Sequence, residues 1–215
     1  MARHFWMTAA AVIVSGVLAT PSASANVVAV GTSAFGASST LTTFTGLSDG
    51  TEVNGLVVDG ITFLYSLGNG QVIIDGGPGA TNNISPPNIV SIGNNTGVLT
   101  MFLPSLVDTF GYGFALLATG PVASATTISL FNGVTLVGSL SFSGDSDPTF
   151  SGGFAGIQST LDFDRVDVSF NSVSAPAFAL DNIRTAETVF PDPEPATLAL
   201  LGIGLAGLCF SRRKQ

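Results

Sequence analysis

The sequence predicts an all-β fold, an antiparallel sandwich of two sheets in jelly-roll form. Three observations predict it. Glycine supplies 26 of the 215 residues and charged residues only 9%, a poor composition for helices, whose interiors glycine weakens. Between residues 26 and 190 no apolar pattern keeps a helical period over three turns. Turn residues recur there roughly every eight to twelve positions, the spacing of short strands in a sandwich or barrel.

The elements follow in order. Ile61 to Leu67, Gln71 to Ile74, Gly97 to Leu103 and Phe110 to Leu117 are apolar or aromatic runs bounded by Gly, Asn, Asp or Pro, and each reads as a strand. Residues 76–88, with Gly76-Gly77-Pro78-Gly79 and Pro86-Pro87, read as a long loop. Thr126 to Phe131 and Val134 to Phe142 flank Asn132-Gly133. That dipeptide predicts a hairpin with a type I′ turn, because it tolerates positive φ at both central positions. From Asp164 to Phe170, Val166, Val168 and Phe170 alternate with Arg165, Asp167 and Ser169, the pattern of a half-buried antiparallel strand. Ala177 to Ile183 is the expected partner of that strand.

Both ends carry their own patterns. Arg3 and His4 precede an apolar run from Phe5 to Ala19, then Ala23-Ser24-Ala25. A basic start, an apolar stretch and a small-x-small site make a secretory signal peptide. Ala23 and Ala25 mark cleavage by signal peptidase after residue 25. At the other end Pro193-Glu194-Pro195 precedes an apolar run, Ala196 to Phe210, and then Arg212, Arg213 and Lys214. The prolines hold the acidic stretch extended, as a protease requires of its substrate. The apolar run as a helix reaches about 22 Å, short of a hydrocarbon core near 30 Å; snorkelling of the three cations makes up the difference. They also hold the C-terminus in the cytoplasm as a stop. The expected organisation is therefore a signal peptide (1–25), a β-sandwich (26–187), an extended linker (188–195) and a single transmembrane helix with a basic tail (196–215).

Pro193-Glu194-Pro195, the Gly/Leu/Ala-rich run and Arg212-Arg213-Lys214, in that order, resemble the PEP-CTERM sorting signal, also catalogued as an ice-binding protein C-terminal domain. The resemblance covers the last two dozen residues. It implies recognition by exosortase, a membrane cysteine protease. It also implies an inner-membrane intermediate and a final place at the surface or in the matrix of a Gram-negative, exopolysaccharide-making bacterium. Two further stretches resemble passenger domains of such proteins: Phe44-Thr45-Gly46-Leu47 through Phe63, and Phe154-Ala155-Gly156-Ile157 through Phe178 to Ile183. That likeness implies a galactose-binding-like jelly roll. Relatives often place an acid beside the first phenylalanine; here Thr43 and Thr45 flank Phe44. Asp181 and Asn182 are oxygen ligands of the type calcium takes; the alternative reading of the pair is a strand-end turn.

Composition narrows the function. Residues 26–190 hold twelve acidic residues against Arg165 and Arg184, a formal −10. Nucleic acid is excluded as a partner, since its phosphates need Lys and Arg. His4, Trp6 and Cys209 are the only residues of their types and lie at the ends. The middle therefore lacks the parts of Ser-His-Asp and Cys-His catalysis and of His/Cys zinc sites. Gly202-Ile203-Gly204-Leu205-Ala206-Gly207 matches a dinucleotide fingerprint, but no acidic residue follows it; close helix contact in lipid accounts for the glycines. The expected protein is non-enzymatic: an exported surface or matrix protein that binds exopolysaccharide or packs into the layer. The alternatives are a glycoside hydrolase using two carboxylates and an ice-binding adhesin built on Thr40, Thr42, Thr43 and Thr45.

Overall fold

The computed structural model describes residues 25–81, 83–92, 95–147 and 149–187. The predicted signal helix and transmembrane helix lie outside the described residues. Among the described residues, no helix is long and apolar enough to cross a membrane. Eleven strands follow in order: β1 (Val27–Ala29), β2 (Thr40–Thr42), β3 (Val57–Val58), β4 (Ile61–Tyr65), β5 (Val72–Asp75), β6 (Asn88–Ser91), β7 (Val98–Leu116), β8 (Val122–Asn132), β9 (Thr135–Asp147), β10 (Phe150–Phe170) and β11 (Phe178–Ala186). One 3₁₀ turn, Thr32–Ala34, is the helical structure among them.

All pairings are antiparallel, as the alternating sequence requires. They divide into two sheets joined by two long strands. In the first sheet β9 pairs β8, β8 pairs the second half of β10, that half pairs the first half of β7, and β7 pairs β4, which carries β3. In the second sheet β1 pairs the first half of β10, which pairs the second half of β7. β7 continues to β11, and β11 to β2 and β6, with β5 outermost. β7 and β10 therefore pass from one sheet to the other, a corner device of packed sheets. The ladder between them breaks at Gln158/Phe163 and again at Phe163/Arg165. Pro104, which has no ladder donor, lies in the turning part of β7.

The two runs read as separate strands, 97–103 and 110–117, are the two arms of β7. Pro104, Ser105 and Asp108 stand between them as a turn signal, yet the chain bends there without leaving the strand. The predicted partnership of residues 177–183 with residues 164–170 is overturned: β11 pairs β7, not β10. Residues 164–170 lie in the first sheet between β7 and β8, while β11 lies in the second, a separation that two alternating segments alone do not reveal. The hairpin at Asn132-Gly133 forms, with Asn132 opposite Thr135. Its turn is displaced by one residue. The central pair is Gly133-Val134, and Gly133 alone takes positive φ (56°), the sign pattern of type II′ with glycine first.

Phe44, Phe63, Met101, Phe110, Tyr112, Phe114, Val166, Val168 and Leu180 share one buried cluster, so both sheets face a common core. Val166, Val168 and Phe170 point inward as predicted. Phe170 stacks on Phe178 at 4.0 Å and 15° between ring planes, joining the two sheets. Tyr112 is fully buried, its hydroxyl bonded to Thr126 Oγ1. Burial pushes this phenol's pKa up.

Candidate functional site

Two places on the outer surface carry chemistry. One is a bulge in the middle of β11 under the loop that leads to β6. Between Asp181 and Arg184 the ladder with β7 skips register: two residues of β11 bulge, and Asn182 takes a φ of 53°, a conformation asparagine tolerates. The bulge turns two polar groups toward the loop. Asp181 Oδ2 accepts from the Ser85 amide at 3.1 Å. Asn182 Nδ2 donates to the Asn83 carbonyl at 2.7 Å. Gly113, opposite Asp181, has no Cβ; one built there would lie 2.2 Å from the Asn83 oxygen. Thr81 Oγ1 donates to the Asp147 carboxylate, pinning the loop a third time.

Asp181 is 1% exposed and its Oδ1 has no hydrogen-bond partner. Burial pushes its pKa up to about 6, against the lowering effect of the Asn182 and Ser85 amides. The calcium reading fits poorly here. A calcium ion takes six to eight oxygens, several of them carboxylate. Asn182 Nδ2 donates to the Asn83 carbonyl, so at most its Oδ1 adds one oxygen to the single carboxylate here. Among the described residues no group of three His, Cys, Asp or Glu side chains could hold a metal ion. The pair fits a loop clamp.

The other place is the outer face of the first sheet. Strand register lays out its rows. Thr62, Phe102, Arg165, Phe131 and Leu136 form one row across five strands. Leu64, Thr100, Asp167, Ser129 and Ser139 form the next. Val98, Ser169, Thr127 and Ser141 form the third. At the usual interstrand spacing a five-strand row spans roughly 19 Å. The Arg165 guanidinium lies 3.9 Å over the Phe131 ring, a cation–π contact. Its Nε is 3.5 Å from Asp167 Oδ1, which also accepts from Thr100 Oγ1 at 2.9 Å. Phe102 is 41% and Leu136 57% exposed. The hydroxyls pair as Ser129–Ser139 at 3.0 Å and Thr127–Ser141 at 2.8 Å. Arg165 and Asp167 cancel, so a neutral patch sits on an acidic domain.

The alternation of residues 164–170 already put Arg165, Asp167 and Ser169 on one face. The facing rows on β7, β8 and β9 are not legible in the sequence, because register across strands is not written in any single strand. The tyrosines offer nothing to a ligand: Tyr65 is 3% and Tyr112 0% exposed. Of the four threonines considered for ice, Thr42 is buried while Thr40 and Thr45 are exposed, so they do not share one open face. Of three pockets lined by described residues, one holds a carboxylate, Asp162, and none holds a facing pair.

Ala25 lines a surface pocket of 440 Å³ with Leu106, Leu136 and Leu161. Next to it, Asn26 exchanges hydrogen bonds with Thr160, and β1 begins at Val27. Ala23, Pro193, Glu194, Pro195, Arg212, Arg213 and Lys214 lie outside the described residues.

Residues 193–214 match the PEP-CTERM protein-sorting motif. The chain thus carries a signal that marks exported, exosortase-processed surface proteins. No curated protein sequence matches it. Among solved structures it is similar to the K2 cleaved adhesin domain of Lys-gingipain, at 13% identity and a TM-score of 0.49, over 70% of this chain and 99% of that one. It is similar also to a variant of a family 29 carbohydrate-binding module, at 10% identity and a TM-score of 0.37, over 68% and 97%. The catalytic domain of a GH87 alpha-1,3-glucanase gives 11% identity and a TM-score of 0.40, over 75% of this chain and 30% of that one.

Proposed function

We propose that the protein is a non-catalytic surface or matrix protein that binds an uncharged exopolysaccharide on the outer face of its first sheet. The observation that carries this reading is the row Phe102–Arg165–Phe131–Leu136 with the hydroxyl and carboxylate row beside it. A pyranose has an apolar C–H face and a rim of hydroxyls. Exposed Phe102 suits the first, and the guanidinium and carboxylate suit the second, as donor and acceptor. The Nη groups of Arg165 donate to no described residue. A domain carrying −10 repels polyanions, so the fitting ligand is neutral. The body is read as a jelly roll of the galactose-binding-like type; the pairing of β2 with β11, early strand with last, supports that.

Phe102→Ala and Arg165→Ala are each expected to weaken binding to the host's neutral matrix polysaccharide about tenfold, the worth of one ring stack or one charged hydrogen bond. Calorimetry on the folded variants measures it. Unchanged affinity in the double variant would remove the face from consideration.

The sorting half of the proposal has signal peptidase cutting after Ala25 and exosortase cutting at Pro193-Glu194-Pro195, with Arg212, Arg213 and Lys214 as the cytoplasmic stop. The matched motif and the start of β1 two residues past Ala25 support it. Replacing Pro193, Glu194 and Pro195 by alanine is expected to leave the precursor uncut in the inner membrane, as read by its size in membrane fractions. Normal processing of that variant would refute the assignment.

A further inference from the structure

We propose that the free edge of β9 pairs antiparallel with β9 of a second copy, joining two first sheets into one continuous sheet across a two-fold axis. β9 pairs with β8 from Thr135 to Gly144, and among the described residues no strand pairs with its other side over that span. Such an edge exposes a row of unpaired amides and carbonyls. Folded proteins usually guard it with Lys, Pro or an inward charge. From Thr135 to Gly144 there is no charge and no proline. β1, which packs against β9 with Val27 at Gly138, does not block it. A Cβ built on Gly138 would meet Val27 at 2.4 Å, which places β1 beneath the inner face rather than alongside the edge.

The occupant is set by the sequence of the edge itself. Past the irregularity near Val137 the strand reads Gly138-Ser139-Leu140-Ser141-Phe142-Ser143-Gly144. This run is nearly the same in both directions. Turned about Ser141, it sets Gly138 opposite Gly144, Ser139 opposite Ser143, and Leu140 opposite Phe142. An isologous interface needs that self-complementarity. Serines meet serines on the outer face, where all three are exposed. Leu140 and Phe142, packed on the core and only partly buried, gain cover on the inner face. The acids do not collide: Asp145 falls opposite Val137 and Asp147 opposite Thr135. Two copies of this acidic domain thus meet along this edge without like charges facing.

The test uses the intact chain in detergent with Cys209→Ser, which removes the only native thiol. Ser141→Cys sets two thiols across the axis, where Cα atoms of an antiparallel pair lie about 4.5–5.5 Å apart, within disulfide range. Ser139→Cys is the control. Its own copy lies four residues away along the strand, roughly 13 Å, beyond that range. Mild oxidation is expected to convert most Ser141→Cys chains to a dithiothreitol-sensitive dimer and to leave Ser139→Cys monomeric. In sedimentation, the otherwise native chain is expected to dimerise with concentration and Ser141→Lys to stay monomeric. Crosslinking of neither cysteine, equal crosslinking of both, or an undiminished Ser141→Lys dimer would overturn the pairing. Loss of glycan binding by the Phe102 and Arg165 variants is read separately, so either proposal can fail alone.

Discussion

Phe178→Ala is expected to lower the unfolding free energy by about 3–5 kcal/mol, the cost of emptying a well-packed aromatic site. Phe178 is 2% exposed and stacks on Phe170. Phe170 ends β10 and Phe178 begins β11, so the ring pair joins the first sheet to the second. Tyr112 and Phe114 from β7 close around Phe170 at 6.4 and 6.5 Å between centroids. A domain of this size holds about 5–15 kcal/mol in total, so the loss is a large share. Urea denaturation reads it as a lower midpoint at unchanged slope. Val173→Ala, at a side chain 97% exposed, is the reference and is expected to change stability by under about 0.5 kcal/mol. A Phe178→Ala effect no larger than the Val173 one would mean that the two sheets do not share a core.

Asp181→Asn is expected to stabilise the protein at neutral pH and to have no effect near pH 3. The sign follows from the raised pKa. In the unfolded chain Asp181 ionises around 3.8; in the fold burial holds its proton up to about 6. Below 3.8 both states are protonated and the stabilising contribution is complete. Between those values the unfolded chain ionises first and stability falls with rising pH. Above 6 the loss is complete, and an unpaired Oδ1 remains buried as part of a carboxylate. A separation of about two pKa units corresponds to about 3 kcal/mol. Asparagine keeps an oxygen for the Ser85 amide and carries no charge, so it avoids that loss. Denaturation at pH 3.5, 5 and 7 traces the effect: the two proteins start together and separate. Millimolar calcium is the counter-test. Calcium-dependent stabilisation at pH 7 in the native chain but not in Asp181→Asn would restore the ion site and displace the loop clamp.

How far the sequence could be read depended on the range of the interaction. Period-two alternation at Val166, Val168 and Phe170 is local, and those side chains point inward as expected. The hairpin is local as well, yet its turn moved one residue, since Gly133 serves a II′ turn as readily as a I′ turn. Asp181 and Asn182 stand out in the sequence for their oxygens. What they hold, the loop at Asn83 and Ser85, lies nearly a hundred residues away in the chain. The short strands β1 and β2 escaped notice because three residues carry no period. Phe102, Phe131 and Leu136 look like misplaced core residues in one dimension. Only register shows them standing in a row with Arg165.

The final strand also sets how the domain meets a load. β11 is bonded on one flank to β7 and on the other to β2 and β6. A pull on the C-terminus runs along the strand, across ladders whose bonds stand perpendicular to it. Bonds loaded sideways in two ladders share the force and give way as a set, whereas a strand at a margin peels rung by rung. The end that carries the sorting signal is thereby the domain's mooring.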